Sequence, residues 1–338
     1  ESGHLALMSA GLKSEKTRLL STSLAVPKAG PTPLAVTEYE TDVTYDKLNF
    51  TKKGVKETFF NGMPSCDNGP FSCCVQTYQL CSFVASMEPK TVVILDARER
   101  PGLKYDETGF TLCKLRSRVV DWDQAAMEGS EQQRLFKDEL EKEIRKLHPT
   151  VERVDIFALL LRGGAGANPP AANGLHLDFY PDQKYADAYV KKKTKQINEP
   201  NEPFLEPEGL RKGIVLGLWL PRDMPNPVYD FPLLFGDMST FDLSETVPSK
   251  QDFYNIRDGE SKRVINVAGA APIHSTQQRW YYYSKQTTEE LVVFRHLTAS
   301  VDGGFGKACF HAAFEQPLPE GMETRRSIEA RAVLYFKA

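Results

Sequence analysis

The sequence predicts a mainly β protein with flanking helices, built as a sandwich or jelly roll. Three observations carry this. From residue 155 onward, seven short apolar runs recur, each of strand length and bounded by Gly, Pro or polar turns. Only one segment shows a sustained helical period, so helices are not interleaved with strands as a doubly wound parallel sheet requires. The 19 Phe, 13 Tyr and 3 Trp, beside 22 Pro and 23 Gly, suit sheets and many turns better than helical bundles.

In chain order, residues 1–35 are rich in Ser, Lys, Pro and Ala without a sustained period, and read as a loosely ordered arm before a single domain over 36–338. Thr91–Leu95 is a β-branched run of buried-strand length. Asp106-Glu107-Thr108-Gly109 reads as a turn before another strand. Ser130 can cap a helix, with Gln133 three residues later completing a capping box. Phe136, Leu140, Ile144 and Leu147 then form one apolar stripe, so this helix lies on a core. The strands expected after it are Asp155–Leu161, Ile214–Leu220, Val264–Val267, Arg279–Ser284, Leu291–His296, Lys307–Phe314 and Ser327–Phe336.

Two segments read as loops. Arg162-Gly163-Gly164-Ala165-Gly166-Ala167 resembles a phosphate cradle, but Asn168-Pro169-Pro170 follows where a helix is needed. Residues 187–213 carry Lys-Lys-Lys-Thr-Lys and Asn-Glu-Pro-Asn-Glu-Pro, a solvated insertion able to act as a lid.

Charge and composition exclude several classes. With 42 Lys and Arg against 45 Asp and Glu, the formal net charge is -3, which offers no footprint for DNA or RNA. No uninterrupted apolar run is long enough to cross a membrane. The six cysteines form no C-x-x-C pair. They read as reduced thiols of a cytoplasmic protein, with the cluster Cys66, Cys73, Cys74 and Cys81 as the place for a disulfide or metal if there is one. The apolar run His4–Met8 has no basic flank, so it is not read as a secretory leader, and the sequon at Asn49 carries no weight.

Of six histidines, only His176 is followed two residues later by a carboxylate, Asp178. On a strand these positions share a face, so imidazole and carboxylate converge. A metal needs a further ligand. His311, in the late strand Lys307–Phe314, is the better candidate, and His274, in a loop beside Pro272, the alternative. His4, His148 and His296 read as structural or solvated. Two His and one carboxylate leave three positions open, the pattern of non-haem Fe(II) oxygenases. A bidentate 2-oxo acid and O₂ would fill them. The far carboxylate of such an acid needs a fork of donors, and Arg325 and Ser327 share a face at the start of the final strand.

The order H-x-D, distal His, R-x-S resembles the Fe(II)/2-oxoglutarate-dependent oxygenases, whose fold is a double-stranded β-helix. The sequence is more closely similar to a fungal hydroxylase/desaturase family related to aspergillic acid hydroxylase and to a cephamycin methoxylation component. The likeness rests on Asp96-Ala97-Arg98, Asp106–Phe110, Gln278–Tyr283, Thr288–Leu291 and Arg326–Arg331, and spans about residues 90–337. It departs at Gly217-Leu218-Trp219-Leu220-Pro221, where the family often has Asn-Val-Trp-Arg-Pro. The resemblance implies Fe(II), 2-oxoglutarate and O₂, and oxidation of an unactivated C–H bond in a small, amino-acid-derived precursor of fungal secondary metabolism. Its expected outcome is hydroxylation, desaturation or ring closure. Arg279, Arg331, Tyr180 and Trp219 are then the candidate substrate contacts, with Arg331 also a reserve anchor for 2-oxoglutarate. Two other classes stay open, a metal-dependent hydrolase using the same three ligands and a non-catalytic β-sandwich binding module.

Overall fold

Alternation of apolar residues along the strands builds two five-stranded sheets and a three-stranded ribbon. The computed structural model describes residues 43–51, 58–61, 87–163, 174–179, 181, 208–257, 260–298 and 306–338. The expected N-terminal arm, the Cys66–Cys81 cluster, Tyr180 and most of the 187–213 insertion lie outside them.

The strands are β1 (Val43–Thr51), β2 (Thr58–Asn61), β3 (Met87–Asp96), β4 (Phe110–Lys114), β5 (Arg153–Gly163), β6 (Leu210–Pro221), β7 (Leu233–Gly236), β8 (Val247–Arg257), β9 (Glu260–Ala271), β10 (Trp280–Tyr282), β11 (Glu290–Thr298), β12 (His311–Ala313) and β13 (Arg326–Lys337). Helices α1 (Tyr105–Thr108), α2 (Trp122–Ala126) and α3 (Glu131–Leu147) flank them. One sheet runs β1-β3-β10-β7-β12, the other β4-β11-β6-β13-β5, and β2-β8-β9 forms the ribbon. The two larger sheets face each other as a jelly roll. Phe235 of the first stacks on Phe110 and packs at a tilt on Phe294 of the second, with ring centroids 5.2 and 5.3 Å apart.

All seven strands expected after residue 155 form, although Lys307–Phe314 is strand only over His311–Ala313. The sequence reading missed β1, β2, β7 and β8. In β7 all four residues are buried, so no polar alternation marks it. The segment Asp106–Gly109 is a helical turn rather than a simple turn. Gly109 ends it at φ +87°, and a Cβ there would meet Met238 Sδ at 2.8 Å.

Helix α3 follows the apolar stripe. Ser130 Oγ accepts from the Gln133 amide at 2.9 Å, and the Gln133 side chain accepts from Gly129 N–H at 3.1 Å rather than from Ser130. Phe136, Leu140 and Ile144 pack with Leu216, Leu218, Ile328 and Ala330, covering the outer face of the second sheet. Each such side chain contributes roughly 1.5–3 kcal/mol by leaving water. The inner face of that sheet is left to line the space between the sheets. No helix among the described residues is long and apolar enough to cross a membrane.

His148 closes α3, and its Nε2 lies 3.0 Å from the Tyr105 hydroxyl. Burial, with Arg295 nearby, pushes its pKa down from 6.5 to about 4. The native state therefore holds His148 neutral while the unfolded chain takes up a proton. Stability is complete above pH 6.5 and falls as the pH drops towards about 4, by at most about 3 kcal/mol for this group. Urea unfolding at pH 7 and pH 4.5 checks this, because His148→Gln should lose less stability between the two than the wild type. Equal losses would show that His148 is not the linked group.

Candidate metal centre

The segment around His176 is held extended by its neighbours. His176 and His311 form an antiparallel bridge, with reciprocal amide–carbonyl bonds of 3.2 and 3.1 Å. Leu177 bonds in the same way to Ala270 of β9 and packs in the apolar cluster with it. Extended backbone sends His176 and Asp178 to the side opposite Leu177, between the sheets. The cross-strand pairing puts His311 on that same side. One ligand atom from each of His176, Asp178 and His311 lies within 4.8 Å of the others. His274, the alternative distal residue, instead packs its ring 4.9 Å from Phe50, outside this group.

The tautomers suit a cation. His176 Nδ1 lies 2.6 Å from Gly174 O and His311 Nδ1 lies 3.3 Å from Cys309 O. A carbonyl oxygen only accepts, so both protons sit on Nδ1 and both Nε2 lone pairs face the site. Burial, reinforced by His176 and His296, holds His311 well below the usual imidazole range, so it is neutral as a ligand must be. Burial pushes the Asp178 carboxyl up, but Arg331 and His296 outweigh it and hold the group well below the usual carboxylate range.

The two oxygens of Asp178 have different surroundings. Oδ1 lies 3.3 Å from His176 Nε2. Oδ2 accepts from Arg331 Nε at 2.9 Å and lies 2.7 Å from Arg331 Nη2 and 3.3 Å from His296 Nε2. Of the structural or solvated roles expected for His296, the solvated one is excluded. His296 is 2% exposed and lines the cavity. The pairing of β11 with β6 shifts register between Arg295 and Leu297, so His296 is the extra residue of a bulge, and it keeps to the cavity side with Phe294. Its signal in the sequence is period two with Phe294 on a buried strand. Gly217 opposite leaves the room, since a Cβ there would lie 2.3 Å from Phe294 Cζ and 2.7 Å from His296 Nε2.

Odd-numbered residues of β13 and the residues just before it continue the cavity wall. Arg325 is 1% exposed. Its backbone N–H donates to Asp230 at 2.7 Å, Nη1 donates to Phe231 O at 2.5 Å, and Nε donates to Ser327 Oγ at 3.3 Å. Its guanidinium lies 4.9 Å from the Trp219 ring centroid. Burial lowers its pKa to about 10, so it stays charged at neutral pH. Among the described residues it forms no ion pair, whereas Arg331 pairs with Asp178 and Arg162 with Glu329 at 2.9 Å. The wall thus carries one buried cation that no direct ion pair occupies among the described residues, fixed in orientation, a receptor for an anionic group.

The other expected contacts divide. Trp219 lines the cavity, and its buried Nε1 has no hydrogen-bond partner among the described residues. Arg331 lines it too, but on Asp178. Arg279 is exposed and does not line it; its backbone bonds to Thr240 Oγ1 and Asp237.

Comparison with known proteins adds the following. The family described as YDMC: Oxidoreductase/YMDC permease-like domain matches residues 64–335. Aspirochlorine biosynthesis protein N of Aspergillus oryzae is 30% identical over 124 residues, which are 36% of this chain and 48% of that protein. The chain thus spans about half the length of this relative. Alpha-ketoglutarate-dependent dioxygenase phiK of a fungal species is 22% identical over 264 residues, covering 74% of this chain and 86% of that one. Two structures of the iron and alpha-ketoglutarate-dependent endoperoxidase NvfI, in different conformations, share the fold at 17% and 19% identity. Their TM-scores are 0.59 and 0.61, over 88% of this chain and 99% and 100% of theirs.

Proposed function

Because this chain belongs to the family described as YDMC: Oxidoreductase/YMDC permease-like domain, we propose that it is an Fe(II)/2-oxoglutarate-dependent oxygenase acting on a small molecule. The observation that carries this reading is the convergence of His176, Asp178 and His311 in a cavity that the buried Arg325 also lines. His176 Nε2, Asp178 Oδ1 and His311 Nε2 would hold Fe(II) on one face. Bound there, the iron supplies oxidative decarboxylation of 2-oxoglutarate coupled to cleavage of an unactivated C–H bond.

The chain's own residues do the rest. Arg325 and Ser327 receive the far carboxylate of 2-oxoglutarate, with Trp219 holding the guanidinium from one face. Phe294, packed on His296 and His311, and Leu233 add apolar surface to the cavity and limit water. The Arg162–Glu329 pair offers polar contacts for the substrate. A relative named for aspirochlorine biosynthesis supports a place in fungal biosynthesis, and the family resemblance of the sequence extends this to an amino-acid-derived precursor as substrate, with hydroxylation, desaturation or ring closure as outcomes. The free thiols of Cys113 and Cys309 suit the cytoplasm. A metal hydrolase would use the same three ligands and give no role to Arg325.

The test is anaerobic addition of Fe(II) and then 2-oxoglutarate to the purified protein. A weak visible charge-transfer band should appear only with both present, and admitting air should release succinate. A folded protein that shows neither is not an oxygenase of this kind.

A further inference from the structure

We infer that His296 is a positioning residue that holds Asp178 by its outer oxygen, so that only Oδ1 is presented to the metal. The inference rests on the metal site proposed above and concerns a residue outside its ligand set.

Three observations converge. First, the carboxylate is divided, with Oδ1 towards His176 and Oδ2 towards His296 and Arg331. A carboxylate whose second oxygen is held by donors binds a cation through the other one, and such outer partners set ligand orientation. Second, His296 is oriented unlike the two ligand histidines. Those anchor Nδ1 on backbone carbonyls and turn Nε2 to the site. His296 has no partner at Nδ1 among the described residues and brings Nε2 to 3.3 Å from Asp178 Oδ2. A neutral imidazole with its proton on Nε2 would donate there and leave no lone pair facing the metal. Third, the backbone is shaped for this placement. His296 stands two residues after Phe294 on the cavity side of β11, and Gly217 vacates the space that its ring occupies.

Arg331 holds Oδ2 from the other side, so Asp178 is clamped between a guanidinium on β13 and an imidazole on β11. Both strands flank β6. The clamp therefore ties the carboxylate to the second sheet, while His176 and His311 are joined to each other at the edge of the first.

The experiment titrates the full chain with Co(II) alone, following its visible ligand-field absorption. Three variants distinguish the roles. His296→Gln puts an amide N–H near the Nε2 position and keeps the donor. His296→Asn has its amide near the Nδ1 position and falls short of Oδ2, and His296→Leu has no donor. Expected are a loss of about 10- to 100-fold in Co(II) affinity for His296→Leu and His296→Asn, and of less than about tenfold for His296→Gln, with the wild-type spectrum retained. If His296→Leu fails to fold, the Gln and Asn variants decide. The inference is overturned if His296→Gln is as weak as the other two, if all three bind like the wild type, or if His296→Gln changes the spectrum as a lost ligand would. A folded wild type that takes up no Co(II) would instead overturn the metal site itself.

Discussion

Asp178→Ala should lower Fe(II) affinity by more than about a hundredfold, beyond what loss of an outer partner costs, and abolish succinate release at ordinary iron concentrations. The change removes the only anionic group of the proposed ligand set. It also leaves Arg331 and His296 facing each other without the charge between them, so the imidazoles of His176, His296 and His311 and the Arg331 cation meet there with no carboxylate among them. His176 remains bridged to His311 through backbone bonds and Leu177 to Ala270, so the β-structure does not depend on the lost carboxylate. Circular dichroism and thermal unfolding should therefore stay close to wild type while iron retained after gel filtration falls to background. Asp178→Asn is the sharper comparison, since it keeps the volume and removes the charge. If either variant keeps its iron and its turnover, Asp178 is not a ligand.

Arg325→Met should raise the KM for 2-oxoglutarate by about one to two orders of magnitude, the size of a lost charge-assisted hydrogen bond, and leave iron affinity nearly unchanged. The methionine fills the same buried channel beside Trp219. The bond from the residue 325 amide to Asp230 survives, because it belongs to the backbone, and Thr324 Oγ1 still donates to the same carboxylate. What disappears is the one buried cation of the wall without an ion-pair partner. Arg331→Met provides the control. It should weaken iron binding through Asp178 more than it weakens 2-oxoglutarate binding, because its guanidinium is on Oδ2. The reverse pattern, with 2-oxoglutarate binding lost in the Arg331 variant and kept in the Arg325 variant, would make Arg331 the anchor.

Part of this site is legible in one dimension. Residues two apart on extended chain share a face, so His176 with Asp178 and Arg325 with Ser327 can be paired from spacing alone. The α3 stripe and the later strands are legible for the same reason, since a regular period needs no knowledge of the rest of the chain. Other features gave no such signal. A strand buried on both faces, as β7 is, has no polar alternation to betray it. Arg279 and Arg331 were both expected on strands, yet Arg279 lies just before β10, exposed beside Thr240, and Arg331 on β13 grips Asp178.

The amino-acid order by itself determined the β-rich class, the single amphipathic helix, the H-x-D pair and the R-x-S pair, because each is fixed by contacts between near neighbours in the chain. Only the tertiary structure decided that His311 rather than His274 meets His176, that His296 reaches Asp178, and that among the described residues the Arg325 guanidinium, unlike those of Arg162 and Arg331, forms no ion pair. Those outcomes depend on which strands lie side by side and in what register. A shift of one residue in that register would send each of these side chains to the opposite face of its sheet.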